Sequence, residues 1–286
     1  MACRANAVGV WFGVCCGLFL VLAPSQRLGA APRPAFDDKA LAALRARAQA
    51  GNASAQHQLG RHYYYEYDRF LGRRQEDLAQ AVHFWRMAAL QGHARSQVRL
   101  GDCHSQGWGM KVDLVTALHW YRKAAAQGDA DAQMALCAVF EFGVGVPVDK
   151  KQAHAWRTLA LAQHHPIAQH EQGQMLLLER RDEAGAVKWF RLAAEQDHVP
   201  SQNQLGLCYQ EGRGVKKDLI ESYAWQHLSA DTHGLSRKWR DEAARRMDAA
   251  QIAAGKARAA QLRMQMDAKD LAERRGAEDD RPNGEP

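Results

Sequence analysis

The feature that most constrains the fold is a sequence segment that occurs five times along the chain. Five nine-residue blocks align without gaps, and they read NASAQHQLG, HARSQVRLG, DADAQMALC, HPIAQHEQG and HVPSQNQLG. They begin at residues 52, 93, 129, 165 and 198, so the spacings are 41, 36, 36 and 33 residues. Five further blocks, which begin at 81, 117, 153, 186 and 222, align equally well. A self-similar period in this range predicts stacked supersecondary units, and each unit here has the pattern of two helices.

The first helix of each unit carries a recurring polar residue and a recurring small residue. The polar position holds a glutamine in every copy: Gln56, Gln97, Gln133, Gln169 and Gln202. Four residues later, the small position holds Gly60, Gly101, Cys137, Gly173 and Gly206. A glycine within a helix costs about 1 kcal/mol relative to alanine. Its recurrence therefore predicts the close approach of a neighbouring helix.

The second helix carries one large aromatic residue at the same position of every unit. These residues are Phe84, Trp120, Trp156, Trp189 and Trp225. Four residues later come Ala88, Ala124, Ala160, Ala193 and Ser229. A large residue one turn away from a small residue is typical of interlocking helices. We therefore predict that the five aromatic residues lie in the core and do not form a surface that stacks sugars or bases.

An aspartate lies seven residues before the aromatic position in every unit. The five residues are Asp77, Asp113, Asp149, Asp182 and Asp218. A carboxylate at the start of a helix accepts hydrogen bonds from free N–H groups and suits the helix dipole, which predicts N-caps. Gln80, Gln152 and Glu221, three residues later, predict capping boxes in three units. The aspartates thus indicate helix starts and not a catalytic or metal-binding set.

A glycine pair in EFGVGVPVDKKQAHAW, residues 141–156, raises the question of a phosphate-binding loop. A phosphate loop follows a strand and ends in Gly-Lys-Ser/Thr, whereas this segment follows a predicted helix and lacks that ending. The same pair recurs as Gly107 with Gly109 and as Gly212 with Gly214. Glycines with positive φ let the chain reverse between antiparallel helices. The pair therefore predicts a corner between the two helices of a unit.

The pattern Ala-x-Ala/Ser-Gln-x-x-Leu-Gly, then Gly-x-Gly, Asp and Ala-x-x-Trp-x-x-x-Ala-Ala resembles the Sel1-like repeat family. The resemblance implies an all-α fold, a right-handed α/α solenoid of about five helix-turn-helix repeats with a C-terminal capping helix. We predict repeats over 52–92, 93–128, 129–164, 165–197 and 198–234, after a lead-in helix over 31–51. Residues 235–275 are predicted to form capping and extension helices, with Arg237 to Met247 as the cap and a mobile arm beyond it. Residues 276–286 are predicted to be disordered.

The first thirty residues differ from the rest of the chain. Arg4 is followed by an apolar stretch with no charge until Arg27, and Leu28-Gly29-Ala30 is a small-residue cleavage site. This pattern predicts a secretory signal peptide over residues 1–30, hence a periplasmic or secreted protein. The alternative is an uncleaved inner-membrane anchor over residues 5–23. After removal of residues 1–30 three cysteines remain, Cys103, Cys137 and Cys208. This set is sparse and odd in number, so we predict buried free thiols and not a disulfide framework.

Nothing in the composition or motifs indicates catalysis, a cofactor or nucleic acid. The formal net charge is +6, but the basic residues are interspersed with acidic residues and form no dense basic block. Cys-x-x-Cys, His-Glu-x-x-His, Gly-x-Ser-x-Gly and Ser-x-x-Lys motifs are all missing from the sequence. The tightest histidine cluster is His164, His165 and His170, but His165 shares the inter-repeat position of His93 and His198, which favours a turn role over a metal site.

A binding surface in repeats of this type lies on the concave face, which the first helices line. The first-helix positions that remain after the predicted core is removed are His57, Arg61, Tyr64, Tyr65, Val98, Asp102, Met134, His170 and Gln174. Exposed tyrosines are frequent binding anchors, so Tyr64 and Tyr65 are the preferred candidates, whereas Tyr63 belongs to the core by pattern.

The resemblance implies a non-enzymatic protein-binding scaffold, and with the signal peptide it predicts an exported adaptor whose concave face binds another protein. One branch of the family, with a cysteine pair in each repeat, is associated with β-lactam binding and hydrolysis. The alternative function is therefore a cell-wall or β-lactam-directed hydrolase, which the missing cysteine pairs argue against. A purely structural part of the cell envelope, for instance in polysaccharide export, is a third hypothesis.

Overall fold

The computed structural model describes residues 37–69, 75–230 and 234–279. Within these ranges every regular element is an α-helix, and no strand occurs. The predicted signal peptide or anchor over residues 1–30 lies outside the described residues. None of the helices in the described part of the chain is long and apolar enough to cross a membrane. The chain divides into two compact units, of which the first ends at Gln163 and the second begins at His164.

In the described residues of the N-terminal unit, a single helix is followed by three helix pairs. The single helix, α1 (Asp38–Gln49), occupies the predicted lead-in segment. The pairs are α2 (Ala53–Arg69) with α3 (Gln75–Leu90), α4 (Ala94–Gln106) with α5 (Leu114–Ala126), and α6 (Ala130–Phe142) with α7 (Lys150–Ala162). Within this unit, each helix from α1 to α6 packs against the helix that follows it in the chain. These pairs are repeats 1, 2 and 3.

The described part of the C-terminal unit contains two helix pairs followed by two terminal helices. The pairs, repeats 4 and 5, are α8 (Pro166–Leu178) with α9 (Glu183–Ala194) and α10 (Val199–Glu211) with α11 (Leu219–Ala230). The terminal helices are α12 (Gly234–Ala244) and α13 (Ala249–Asp279), and both pack against α11. The consecutive packing of helix pairs in both units confirms the predicted all-α solenoid fold.

The predicted aspartate caps are observed on four of the second helices. First-turn backbone N–H groups of α5, α7, α9 and α11 donate to the side chains of Asp113, Asp149, Asp182 and Asp218. The fifth prediction is wrong, because α3 begins at Gln75 and Asp77 lies inside its first turn. Asp77 therefore contributes negative charge near the positive end of the helix dipole and is not the cap.

The glycine pairs form the corners between the two helices of repeats 2, 3 and 5. The first glycine of each pair ends its helix with a φ of 73°, 71° or 77°, at Gly107, Gly143 and Gly212. These left-handed values suit glycine because it has no Cβ atom. In repeat 3 the backbone N–H of Asp149 donates to the Phe140 carbonyl at 2.9 Å and closes the corner. The predicted chain reversal is confirmed.

The C-terminal helix α13 is docked on the C-terminal unit, so the predicted mobile arm is wrong for the part of it described. Ala259, Leu262 and Met266 of α13 are buried in the same hydrophobic cluster as Trp225 of α11. The helix continues to Asp279, which lies within the segment predicted to be disordered. Residues 280–286 of that segment lie outside the described residues.

Candidate interaction surface

The centre of most repeats is a contact between a glycine of the first helix and one side chain of the second helix. The three glycine–aromatic pairs are Gly60 with Trp85, Gly101 with Tyr121, and Gly173 with Phe190. A Cβ atom added to these glycines would lie 2.4, 2.6 and 2.7 Å from the facing ring. Such distances exclude even alanine unless the helices separate, so the recurring glycine is explained by close helix packing.

The buried aromatic residue lies one position after the residue that the sequence analysis placed in the core. Of the predicted core aromatics, Trp225 is buried, whereas four are only half-buried: Phe84, Trp120, Trp156 and Trp189. The prediction is therefore wrong for these four residues. The side chain that lies directly opposite the glycine is buried. The residue before it on the second helix is rotated by about 100° around the helix axis and points toward the outside.

Repeat 3 replaces both members of the glycine–aromatic pair. Cys137 occupies the glycine position and is buried, and Arg157 occupies the position of the facing ring. The Arg157 guanidinium donates to the Glu141 carboxylate at 3.3 Å on the half-buried edge of the repeat. A larger residue on the first helix is thus matched by a side chain on the second helix that extends toward the edge.

The recurring glutamines are buried, and those of repeats 1 and 2 link three consecutive helices. In repeat 2, Gln97 donates from its Nε2 to the Ala89 carbonyl of α3 at 3.2 Å and accepts at its Oε1 from Gln127 at 2.7 Å. Repeat 1 has the same arrangement around Gln56, with distances of 3.0 and 2.7 Å to Ala48 and Gln91. Because these amides bond within the stack, they hold repeats in register and are not available to a ligand.

Two histidines and a serine form the same largely buried cluster at the start of repeat 2 and at the start of repeat 5. At the start of repeat 2, the Ser96 hydroxyl lies 2.9 Å from His57 Nδ1 and 3.1 Å from His93 Nδ1. At the start of repeat 5, the Ser201 hydroxyl lies 2.9 Å from His170 Nδ1 and 2.8 Å from His198 Nδ1. His93 and His198 are also the residues that precede the first helix of their repeats, which confirms the predicted turn role.

Burial keeps these imidazoles neutral. Burial, supported by the positive charges of nearby arginines, lowers the pKa of His57 to about 2, and burial lowers the pKa of His170 to about 4. Burial also lowers the pKa values of His93 and His198. Neutral rings satisfy the cluster when one imidazole donates to the serine oxygen and the serine hydroxyl donates to the other imidazole. The clusters are therefore structural joints that depend on neutral histidines.

Repeat 2 also contains a buried ion pair. The Arg99 guanidinium donates to Asp102 Oδ2 at 3.1 Å, and the Tyr121 hydroxyl donates to Asp102 Oδ1 at 2.9 Å. Arg99 and Asp102 are both buried. The second carboxylate oxygen thus also has a donor, which offsets part of the cost of removing the charge from water.

The structure buries most of the residues that were predicted to line an exposed first-helix face. The buried ones are His57, Tyr64, Val98, Asp102, Met134 and His170, and the half-buried ones are Arg61, Tyr65 and Gln174. The expectation of exposure is therefore wrong for six of the nine, because neighbouring helices cover the first helices on several sides. Tyr64, for example, packs its ring 5.6 Å from Trp85 and 5.2 Å from Trp108. Partner binding by these residues stays a prediction.

Of the predicted residues in the N-terminal unit, Arg61 and Tyr65 remain partly exposed. Together with Arg95, which was not predicted, they form a surface that we call the Arg61 surface. Arg61 and Tyr65 lie one turn apart on α2, and the Arg61 guanidinium carbon is 5.8 Å from the centre of the Tyr65 ring. Arg95 on α4 is exposed. The charges of Arg61 and Arg95 both lower the pKa of His57, so both act on the same part of the unit. The surface is positive and has an aromatic anchor.

The cysteines and histidines of the described residues do not form a reactive or metal-binding constellation. Cys103, Cys137 and Cys208 are free and buried, as predicted, and burial raises the pKa of Cys103 and Cys208. No group of three or more histidine, cysteine, aspartate or glutamate side chains within the described ranges is placed to share an ion. His165 of the predicted cluster precedes the first turn of α8.

The docked face of α13 is a feature that the sequence analysis missed. Its packed residues follow a three-four spacing, Gly255, Ala259, Leu262 and Met266, which is typical of one helix face. This periodicity is visible in the sequence. It was obscured by the many alanines and charges of the segment, which are equally compatible with an exposed helix.

Comparison with known proteins identifies the type of repeat. The family model described as Sel1 repeat matches residues 53–93, 94–129, 130–165, 168–198 and 199–231. A search of curated proteins finds no match.

Solved structures with TM-scores above 0.5 give the same architecture. A Sel1 repeat protein from Oxalobacter formigenes is 28% identical with a TM-score of 0.57, over 79% of this chain and 64% of that one. An immunity protein from Pseudomonas aeruginosa is 18% identical with a TM-score of 0.52, over 73% of this chain and 83% of that one, which supports the fold alone. A protective antigen with the SLR fold, present in uropathogenic Escherichia coli strains, is 24% identical with a TM-score of 0.47, over 97% of this chain and 65% of that one. The chain thus spans slightly less than two thirds of the length of the Oxalobacter protein and of the Escherichia coli antigen.

Proposed function

The chain belongs to the Sel1 repeat family, and on this basis we propose that it is an exported, non-enzymatic scaffold that binds another protein through the Arg61 surface of its N-terminal unit. The Sel1 repeat fold suggests a protein-interaction scaffold, and proteins of this type are generally not enzymes. The recurring residues of the described repeats pack and bond with one another, which leaves recognition to the partly exposed residues.

The observation that carries the choice of surface is the pairing of Arg61 with Tyr65. Arginine and tyrosine are enriched among residues that dominate the energy of protein interfaces. Stacking near the tyrosine ring limits the conformations of the arginine, so less conformational freedom is lost when a partner binds. Arg95 adds a second positive charge, and the expected partner segment therefore carries acidic side chains.

The test is affinity purification from envelope extracts with the wild-type protein and an Arg61→Ala/Tyr65→Ala variant. Tyr64 is left unchanged, because it packs against Trp85 and its removal would destabilise the unit. The matched control is His119→Ala/Arg122→Ala, which removes two exposed side chains from α5. We expect one partner to be recovered with the wild type and the control and lost with the Arg61→Ala/Tyr65→Ala variant.

The outcomes separate the scaffold from its surface. A partner that is retained by the Arg61→Ala/Tyr65→Ala variant would remove the Arg61 surface from the proposal and leave the scaffold. Failure to recover any partner with folded wild-type protein would count against the scaffold itself. Circular dichroism of each variant, compared with the wild type, shows whether a loss of binding reflects a loss of structure.

Export is supported by the charge and size pattern of residues 1–30. Cell fractionation is expected to place the protein in the periplasm or medium, and N-terminal sequencing is expected to start at Ala31. Intact Met1 in the membrane fraction would favour the anchor over residues 5–23.

The absence of enzymatic function has its own test. Incubation with a fluorescent penicillin is expected to leave the protein unlabelled. Covalent labelling would favour the hydrolase alternative.

A further inference from the structure

The C-terminal helix α13 is fixed to its unit by one face, which determines the face that it turns outward. Gly255 lies so close to Tyr223 that an added Cβ atom would be 2.7 Å from the ring. The Arg263 guanidinium donates to both carboxylate oxygens of Asp197 at 2.7 and 2.9 Å. Arg258 donates to Glu221 at 2.6 Å. Together with the buried apolar residues, these contacts set the rotation of α13 about its own axis.

The outward face of α13 carries a second apolar stripe. Met264 is 72% exposed and Leu271 is 51% exposed, and the two residues lie seven apart, on one side of the helix. Ala253, Ala257 and Ala260 are exposed on the same side. We call these five residues the outer stripe. At 100° per residue it lies about 180° from the docked residues, so the helix is apolar on two opposite faces.

The outer stripe is asymmetric along its length in both size and charge. Its N-terminal half contains only alanines, and its C-terminal half contains the two long side chains Met264 and Leu271. Lys256 borders the N-terminal half, and Asp267 borders the C-terminal half. Both charged residues lie on the same flank of the stripe, at similar angles around the helix axis, and both are exposed.

This asymmetry is complementary to itself when two copies of the helix run antiparallel. We propose that a second copy of this chain docks on the outer stripe of α13 in antiparallel orientation and forms a two-fold symmetric dimer. In the register that follows from the seven-residue spacing, Leu271 lies opposite the partner's Ala253, and Met264 lies opposite the partner's Ala260. The two long side chains of each copy therefore lie opposite alanines of the other copy.

The charges select the same orientation. In an antiparallel helix pair, equal flanks face each other, so Lys256 of each chain lies beside Asp267 of its partner. A parallel pair would place Met264 against Met264 and alanine against alanine, leaving gaps at one end and crowding at the other. The second copy is the occupant that matches both the sizes and the charges of the stripe. This inference does not depend on the Arg61 surface, which lies in the other unit.

The test is the oligomeric state of the purified protein, measured by sedimentation equilibrium. We expect a concentration-dependent dimer for the wild type and an increase in dissociation constant of at least about tenfold for Met264→Glu/Leu271→Glu. The matched control is Gln265→Glu/Ala272→Glu, which places the same two charges on exposed positions of α13 outside the stripe and is expected to dimerise like the wild type. Circular dichroism confirms that all three proteins are folded.

Orientation is tested by disulfide formation between cysteine variants. We expect a mixture of Ala253→Cys and Leu271→Cys proteins to form a cross-linked dimer under mild oxidation, and neither protein alone to do so. A wild-type protein that is monomeric at every concentration would overturn the proposal. So would a dimer that is unaffected by Met264→Glu/Leu271→Glu, or cross-linking of each cysteine variant with itself.

Discussion

Repeats 2 and 3 align without a gap, yet they build their cores differently. Repeat 2 places Gly101 against the Tyr121 ring, whereas repeat 3 has Cys137 and Arg157 at these two positions. In repeat 3, the residue at the glycine position and the residue at the facing position differ together from repeat 2. The comparison shows that the two positions form one packing unit, although they lie on different helices.

Repeats 2 and 3 also differ in where they place their charged side chains. In repeat 2, Arg99 and Asp102 form an ion pair within the core, and both side chains are less than 10% exposed. The corresponding residues of repeat 3 are Ala135 and Ala138. The charges of repeat 3 lie farther out, where Arg157 pairs with a partly exposed Glu141. The ion pair of repeat 2 is therefore buried and hydrogen-bonded within the core, whereas the ion pair of repeat 3 lies at the edge of the repeat.

The largest expected effect is the loss of the buried carboxylate of repeat 2. Asp102→Ala leaves the Arg99 charge buried without its carboxylate partner, and we expect a loss of about 4 kcal/mol in the free energy of unfolding. Glu141→Ala, the matched change at the edge of repeat 3, is expected to cost less than about 1 kcal/mol. Urea unfolding followed by circular dichroism measures both. Equal losses would show that the two ion pairs do not differ as described.

The next effect comes from exchanging the small residue between the repeats. Gly101→Cys places a side chain against the Tyr121 ring and is expected to cost about 3 kcal/mol, because the helices must separate. Cys137→Gly is expected to cost about 1 kcal/mol, which is the helix propensity of glycine. The double variant Gly101→Cys/Tyr121→Arg should lose less than the sum of its single variants. Additive losses in the same unfolding measurement would contradict the coupling of the two positions.

A smaller effect concerns the junctions that precede the two repeats. The positions of His57, His93 and Ser96 before repeat 2 correspond to Val98, Asp129 and Ala132 before repeat 3. Folding lowers the pKa of His57 to about 2, so the stability that the neutral ring contributes is complete above pH 6.5 and declines as the pH falls from 6.5 toward 2. Burial raises the pKa of Asp129, whose contribution therefore changes with the opposite sign near pH 4.

The corresponding measurement compares unfolding at pH 7 and pH 5. For His57 alone, the expected loss between these values is about 2 kcal/mol. His57→Gln, which cannot take up a proton, should reduce the acid sensitivity by this amount. His119→Gln changes an exposed histidine on α5 and should leave the sensitivity unchanged. An unaltered pH response in His57→Gln would show that the buried cluster does not resist protonation.

Much of this architecture was predictable because it depends on local spacing. The period of the repeats, the helix pairs, the glycine corners and four of the five aspartate caps all follow from residues that are close in sequence. Asp77 is the exception, since α3 begins at Gln75, two residues before the aspartate. Even there, the error concerns two residues at a helix end.

The candidate site was harder to predict because exposure depends on residues that are distant in sequence. Tyr64 and Tyr65 are adjacent and chemically alike, but the first packs between Trp85 and Trp108 while the second remains partly exposed. No local pattern distinguishes them. The three aromatic rings meet only after two repeats have stacked.

The sequence by itself determined the fold class and the pairing of helices, since periodicity, caps and turn glycines act within one or two helical turns. Tertiary structure alone decided which member of pairs such as Trp120 and Tyr121 lies in the core, because that choice depends on the helix that faces them. It also decided that α13 is docked, through Leu262, Met266 and the Arg263–Asp197 ion pair. Burial and charge pairing are properties of two surfaces, and only the folded chain brings both surfaces together.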